Sequence, residues 1–309
     1  MLLGRGKELE YLNQYYLQDE NRMIVLYGQK GIGVTGLTDS FVKGKNAVSL
    51  YACPSGPRQS SYLWTKELEA QGISFSEEYP DFETLFYTIM EQRALRASGK
   101  LVICIHQFQN LVRTDVSLLT ALSAVMREER YRNSVMIILA GNAIGYVENS
   151  MISQLGPLAL QISAFVKLKP LRFLDLVCFF DSSNTRKCMN IYSITGGNPG
   201  YWGYFNMQES FKENICRLFL QKDSPFYDVG IREVSEHLRE LNVYATLLAT
   251  LAEGREKMNE IHLHTGYSRP KISVYLKNLM AHEYVEKVFS YEAPGEANVK
   301  KGVYRISNP

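Results

Sequence analysis

Short runs of apolar residues recur in the first half of the chain, each bounded by polar or turn-forming residues. They are MIVLY at 23–27, AVSLY at 47–51, LVICI at 101–105 and SVMIILA at 134–140. Runs of this length that are apolar at nearly every position are typical of strands buried on both faces of a parallel sheet. A fifth strand is predicted at AFVKL, 164–168, which ends just before Pro170.

Helical periodicity fills the segments between these runs. An amphipathic helix is predicted at 6–18, and apolar residues recur at helical spacing in the later segments. These later segments are 35–43, 60–71, 82–97 and 116–130. Strands that alternate with helices indicate an α/β fold with a doubly wound sheet.

The alternation stops after residue 170. Residues 172–220 have helical patterns interrupted by TGGNP at 195–199, and 221–230 has the composition of a loop or linker. We therefore expect three domains. They are an α/β domain at 1–170, a small helical lid domain at 171–230 and a further domain at 231–309.

The clearest local pattern lies in that last domain. A predicted helix at 258–264 is followed by Gly266, and Ser268 then stands as the N-cap of a second helix with Pro270 in its first turn. Two β-forming runs follow, at 284–290 and 302–306. A helix-turn-helix followed by a hairpin predicts a winged helix.

A DNA-binding winged helix places its second helix in the major groove of double-stranded DNA. The candidate DNA contacts are Arg269, Lys271, Ser273 and Lys277 on this helix and Lys300 and Lys301 on the wing. The module at 241–309 carries nine Lys and Arg residues against seven Asp and Glu residues, an excess of only two. Docking to a protein partner is therefore an alternative use of this module.

The segment GQKGIGVT at 28–35 has the spacing of a phosphate-binding loop. In such a loop, backbone N–H groups surround phosphate oxygens at the N-terminus of a helix, and Gly28, Gly31 and Gly33 permit that backbone. Thr35 retains the hydroxyl that would contact Mg²⁺. Val34 replaces the usual lysine, which removes charge-assisted contacts of about 1.5–3 kcal/mol each.

The apolar run at 101–105 continues into HQFQNL at 106–111. In P-loop ATPases the corresponding strand ends in acidic residues, of which one holds Mg²⁺ and the next activates water. His106 and Gln107 occupy these two positions. Glutamine cannot accept a proton, and general-base catalysis contributes about 10²–10⁴-fold to a rate. We expect the His106 side chain to satisfy local hydrogen bonds rather than to act as a base or ligand.

The ordered set of motifs resembles the archaeal-type ATPases, P-loop proteins of the AAA-like STAND group. Nearly the whole chain takes part in the resemblance, through the segments LGRGKELEYL, VLYGQKGIGVTGL, LVICIHQFQNL, LAGNAIGYVENS, VKLKPLRFLDLVCFF and YSITGGNPGYW and the winged helix. The resemblance implies that Asn142 is a γ-phosphate sensor. It also implies that Arg5, Gly197 and Pro199 lie near the nucleotide base, and that Gln161 replaces an arginine.

The departures from the family pattern fall on charged groups used in catalysis, at Val34, His106, Gln107 and Gln161. The resemblance therefore implies a pseudo-ATPase that binds ATP or ADP weakly at most, and Mg²⁺ weakly if at all. It would act as a regulatory DNA-binding module through its winged helix. The alternatives are a protein–protein adaptor, and an active ATPase in which His106 and Lys30 take over the missing roles.

Composition bears on the partners and the cellular compartment that we expect for this chain. A net charge of +2 does not by itself indicate a nucleic-acid or membrane partner. Five cysteines without a CxxC pair favour reduced, buried thiols in a cytoplasmic protein. The chain lacks an apolar run near the ~20 residues of a membrane span, and we expect no membrane association. His262 and His264 alone do not predict a metal site.

Overall fold

A computed structural model describes residues 3–94, 99–113, 116–181, 184–289 and 302–307. The chain divides into two compact units, Met1–Pro170 and Leu171–Pro309. A further division of the second unit at residue 230 stays a prediction.

The first unit is built on a parallel sheet. Its strands are β1 (Arg22–Tyr27), β2 (Ala47–Tyr51), β3 (Leu101–His106), β4 (Val135–Gly141) and β5 (Ile162–Lys167). They lie in the order β2-β3-β4-β1-β5, and all neighbouring strands are parallel. Tyr27 pairs with Gly141, and His106 pairs with both Tyr51 and Ala140. The carboxyl ends of four strands therefore meet at one edge of the sheet.

Helices cover both faces of this sheet. They are α1 (Gly6–Leu17), α2 (Val34–Val42), α3 (Pro57–Ala70), α4 (Phe82–Ile89), α5 (Gln109–Val112), α6 (Ser117–Arg127), α7 (Ile144–Tyr146) and α8 (Ile152–Leu155). Helix α4 continues in a π-helical turn to Ala94, and the rest of the helix predicted at 82–97 lies outside the described residues.

Alternate residues of each inner strand pack on opposite faces. In β1, Ile24 and Leu26 join the cluster formed by α1 and α2, whereas Val25 joins the cluster formed by α3, α4 and α6. Burial on both faces explains why the inner strands are continuous apolar runs in the sequence. The confirmed fold class is therefore an α/β parallel sheet flanked by helices.

The second unit begins with helices and ends with a two-stranded antiparallel hairpin. The elements are α9 (Phe173–Phe180), α10 (Thr185–Thr195), α11 (Pro199–Trp202), α12 (Phe211–Ile215), α13 (Val229–His237), α14 (Leu241–Ala252), α15 (Met258–Thr265), α16 (Arg269–Ala281), β6 (Val285–Val288) and β7 (Val303–Ile306). The loop predicted at 221–230 ends two residues early, because α13 begins at Val229.

The winged helix has its own apolar core. Leu247 of α14, Ile261 of α15, Leu276 of α16 and Tyr304 of β7 are buried together in it. Local signals define the turn into α16, since Gly266 adopts φ +69° and the Ser268 side chain accepts a hydrogen bond from the Lys271 N–H. The predicted helix-turn-helix and hairpin are therefore present.

The expectation of buried thiols is met only in part. Cys104 is buried as expected, but Cys53 and Cys178 are exposed. In the parts of the chain that the structure describes, none of the helices is both long and apolar enough to cross a membrane.

Candidate functional site: a phosphate-type loop and a winged-helix face

The loop from β1 to α2 depends on its glycines. Gly31 adopts φ +79° and Gly33 adopts φ +103°, a region that residues with a Cβ rarely occupy. At Gly28 the difficulty is space rather than φ, because an added Cβ would lie 2.8 Å from Ile32 Cγ2 and 3.0 Å from the Leu168 carbonyl oxygen. Each of these positions favours glycine for a reason visible in the backbone.

The N-terminus of α2 presents unused hydrogen-bond donors. Among the described residues, no backbone carbonyl accepts a hydrogen bond from the N–H groups of Gly33, Val34 or Thr35. The first N–H groups of any helix lack intrahelical partners, and the helix dipole places positive potential at the same end. The loop therefore retains the backbone geometry of an anion site.

This loop opens into a cavity of about 380 Å³ at the carboxyl edge of the sheet. Its lining consists of Gln29, Lys30, Gly31, Gly33, Val34, Thr35, Gly36, Tyr51, His106, Gln107, Ala140, Gly141 and Asn142. The structure thus brings seven sequence-predicted residues into one site: Gly31, Gly33, Val34, Thr35, His106, Gln107 and Asn142.

Val34 contributes little polar chemistry to this cavity. Its partly buried side chain packs against the apolar cluster between α1, α2 and the sheet. The charge that a phosphate-binding loop normally supplies at this position is therefore absent here, and Lys30 is the cationic side chain among the described lining residues.

His106 lies at the end of β3 and is only 2% exposed. Its ring stacks on the Tyr51 ring at a centroid distance of 4.5 Å and an interplanar angle of 13°. The buried Nε2 atom has no hydrogen-bond partner among the described residues, contrary to the expectation of a locally satisfied histidine. Burial lowers the pKa of His106, and the negative charge of Asp39 partly opposes that effect. The imidazole is therefore neutral at pH 7.

Sequence reasoning missed Gln109, which organises the amides around the cavity. Its side chain is 3% exposed, and its Nε2 donates to Gln107 Oε1 at 2.6 Å and to Asn142 Oδ1 at 2.7 Å. A Cβ at Gly141 would press on Gln109 Oε1 and on the Phe108 ring, so a larger residue there would require these side chains to shift. The one indication of this residue in the sequence is that Gln109 is the second glutamine of HQFQ, two residues after Gln107.

Arg5 makes contacts within the chain, and its predicted place near a nucleotide base stays a prediction. Its side chain is 3% exposed, and Nη2 donates to the Ile32 carbonyl at 2.8 Å while Nη1 pairs with Glu8 at 3.1 Å. The guanidinium therefore ties α1 to the backbone of the phosphate-type loop.

Three further predicted residues are not part of this cavity. Gln161 lies in a depression with Arg22 and Asn133, before the strands begin and thus at the opposite edge of the sheet. Gly197 and Pro199 belong to the second unit, where the Gly197 carbonyl accepts from the Leu171 N–H and Pro199 opens α11. Of the four positions that depart from the family pattern, Val34, His106 and Gln107 line this cavity, and Gln161 does not.

The exposed face of α16 contains four of the predicted DNA contacts. The Arg269 guanidinium donates twice to Asn259 Oδ1, at 3.1 and 2.8 Å, and Lys271 Nζ lies 4.7 Å from the centroid of the Tyr267 ring. Ser273 and Lys277 are exposed one helical turn apart. Lys300 and Lys301 lie outside the described residues.

The comparisons with known proteins agree with this architecture. A model of the IclR helix-turn-helix domain matches residues 244–288. The Walker-type ATPase of Pyrococcus abyssi is similar in structure, with a TM-score of 0.72 at 16% identity, over 100% of this chain and 94% of that one. The ORC2 protein of Aeropyrum pernix, in its ADPNP–ADP complexes, gives 0.64 at 15% identity, over 99% and 90%.

One curated relative extends over the full chain. An uncharacterized protein of Methanocaldococcus jannaschii is 24% identical over 100% of this chain, which spans 66% of that protein's length. The structural likenesses confirm the P-loop ATPase fold and the similarity to archaeal ATPases, and the domain match confirms the C-terminal helix-turn-helix.

Proposed function

We propose that this chain is a DNA-binding regulator that uses a P-loop ATPase fold as a scaffold and does not hydrolyse ATP. The observation that carries the proposal is the pairing of two features in one chain. The helix-turn-helix exposes a polar and basic face on α16, while the described lining of the ATPase-type cavity contains no aspartate or glutamate.

Two exposed polar residues of α16 are the strongest candidates for DNA contacts. Lys277 has the charge and reach to neutralise a phosphate, and the Ser273 hydroxyl can donate to or accept from a base edge. Arg269 and Lys271 are held by Asn259 and Tyr267 in the structure, so we assign them a secondary part. The contributions of Lys300 and Lys301 stay predictions.

Loss of hydrolysis follows from the chemistry of the cavity. Hydrolysis in this fold requires a general base for water and charge stabilisation at the transferred phosphoryl group. Gln107 cannot take up a proton, His106 is buried and neutral, and Val34 packs in an apolar cluster. Gly31, Thr35 and Asn142 remain in place, which supports weak binding of ATP or ADP.

Fluorescence anisotropy with a mixed-sequence duplex at increasing salt tests the DNA-binding claim. We expect the affinity to fall steeply with salt, and Lys277→Ala to reduce the slope of the log–log plot by about one. Lys212→Ala removes an exposed lysine of α12 and serves as the matched control, with no expected effect on the slope.

The same titration separates DNA binding from a protein-adaptor function. Leu263 of α15 is 81% exposed and Val274 of α16 is 58% exposed, and such side chains suit a protein partner. Failure to bind any duplex at low salt would favour the adaptor over the DNA-binding regulator.

A further inference from the structure

The cavity at the carboxyl edge of the sheet is rich in hydrogen-bond donors and poor in acceptors. Its described lining includes Lys30 and His106 but no carboxylate. The oxygens of Gln107 and Asn142 both accept from Gln109, so their amide N–H groups are the parts left to interact with a ligand. The N–H groups at the start of α2 add further donors.

The P-loop ATPase fold implies Mg²⁺, but the residues present do not fit it. Magnesium requires several oxygen ligands in octahedral geometry and is usually bound through carboxylates. Thr35 offers one hydroxyl and Gln29 one amide oxygen, whereas the amide oxygens of Gln107 and Asn142 are already engaged by Gln109. Among the described residues, no group of three or more His, Cys, Asp or Glu could hold a metal ion.

An anion fits the same cavity. The buried His106 Nε2 has no partner among the described residues, and His106 lies in the same lining as the loop and the start of α2. With its proton on Nε2, the ring donates to an oxygen placed over the loop. This orphaned atom is independent of the helix terminus, and both features call for the same kind of ligand.

We infer that the cavity binds a di- or triphosphate group as a bare anion, without Mg²⁺. The inference deepens the weak nucleotide binding in the proposed function and rests on that part of it alone. Backbone N–H groups of the loop hold the phosphate chain, Lys30 supplies positive charge, and His106 Nε2 donates to one oxygen. The ligand is either a free pyrophosphate or the phosphate chain of a nucleotide.

Isothermal titration calorimetry with pyrophosphate, ADP and adenosine, in EDTA and in excess Mg²⁺, tests the inference. We expect pyrophosphate and ADP to bind in EDTA, with Mg²⁺ leaving the affinity unchanged or weakening it. Comparable binding of the two ligands identifies the phosphate chain as the recognised group, and tighter binding of ADP identifies a nucleotide.

Three results would overturn the inference. They are binding of ADP that is tenfold or more tighter with Mg²⁺, absence of pyrophosphate and ADP binding in EDTA, and adenosine binding as tightly as ADP. DNA binding is measured in a separate experiment. A chain that fails to bind DNA can still bind pyrophosphate in EDTA, and a chain that fails to bind pyrophosphate can still bind DNA.

Variants at His106 test its part directly. His106→Phe preserves the stacking on Tyr51 and removes Nε2, and we expect it to weaken ADP binding in EDTA by about tenfold. His264→Phe removes an exposed histidine of α15 that is not among the described lining residues, and should bind as the unmodified chain does. A folded His106→Phe protein with unchanged affinity would refute the role of His106. If that variant does not fold, the Mg²⁺ comparison on the unmodified chain still decides the inference.

Discussion

His106 shows how one residue changes the properties of the site. A carboxylate at the end of β3 would be charged and would attract a cation, whereas the buried His106 lines the cavity and its Nε2 has no hydrogen-bond partner among the described residues. Tyr51 stacks on the ring and fixes its plane, and Gln109 fixes the amides on the other side. The inferred anion site therefore uses hydrogen-bond donation at the position where the family pattern has a metal-binding carboxylate.

Burial of His106 predicts a pH dependence of stability. Its pKa in the folded chain is lower than the ordinary value, so the unfolded chain binds the proton more readily. The free energy of unfolding should therefore fall as the pH drops below about 6.5, where an unperturbed histidine titrates. Urea unfolding of the unmodified chain and of His106→Phe, between about pH 7.5 and 5.5, checks this. Equal pH dependence in the two proteins would contradict it.

Gly28 predicts a steric effect at the residue scale. Gly28→Ala should destabilise the first unit by about 1–3 kcal/mol, because its Cβ would press on Ile32 and on the Leu168 carbonyl. Gly36→Ala is the matched control, since a Cβ there meets nothing within 4 Å. This substitution replaces a glycine inside a helix and should stabilise the first unit by up to about 1 kcal/mol. Urea unfolding measures both, and equal effects would refute the packing argument.

At the scale of elements, the sequence predicts those parts that local chemistry determines. The inner strands are apolar on both faces, and α16 has its own N-cap and proline, so both could be located without a structure. The start of α13 falls inside the loop predicted at 221–230, because Asp228 and Gly230 are residue types typical of turns. Its helix is stabilised by tertiary packing of Val234 in the winged-helix core.

Sequence patterns predict several residues that line the cavity, but they do not predict the hydrogen bonds between the side chains there. The spacing of GQKGIGVT and the strand end at His106 both predict residues at one sheet edge. The Gln109 bridge depends on the register that places His106 opposite Ala140 of β4, which no local pattern encodes. Nothing in the sequence reveals the hydrogen bond from Arg5 to the Ile32 carbonyl.

Helix α16 offers a contrast between its two faces. Leu276→Ala should destabilise the winged helix by about 2–5 kcal/mol, because Leu276 is fully buried in its core. Val274→Ala, two residues earlier on the exposed face, should change stability by less than about 0.5 kcal/mol. Thermal unfolding followed by circular dichroism measures both. Comparable losses of stability would mean that the assignment of faces is wrong.

On the scale of the whole molecule, one chain combines a P-loop ATPase fold with a helix-turn-helix. The glycines of the phosphate-type loop are in place, whereas Val34, His106 and Gln107 occupy positions where the family pattern has charged groups. Under the proposed function, the chain keeps this fold as a scaffold and does not hydrolyse ATP.

Restoring charged side chains in the cavity should restore Mg²⁺-dependent binding of ATP. The triple variant Val34→Lys, His106→Asp and Gln107→Glu is expected to gain Mg²⁺-dependent ATP affinity of at least tenfold, because it returns a phosphate-binding cation and metal-binding carboxylates to the cavity. Calorimetric titration with ATP, with and without Mg²⁺, measures the gain. Lys212→Ala changes an exposed residue of α12 that is not among the described lining residues, and it is the control. No gain in the triple variant would mean that the cavity differs in more than these three residues.

The most direct test of the central claim is the rate of ATP hydrolysis by the purified chain with saturating ATP and Mg²⁺, in the presence and absence of duplex DNA. We predict no turnover above a matched preparation of the His106→Phe variant, because neither protein has a general base or a metal ligand set in the cavity. Turnover near 1 s⁻¹, a rate typical of working enzymes, that is lost in His106→Ala or Lys30→Ala would refute the proposed function and establish an ATPase with rearranged catalytic residues.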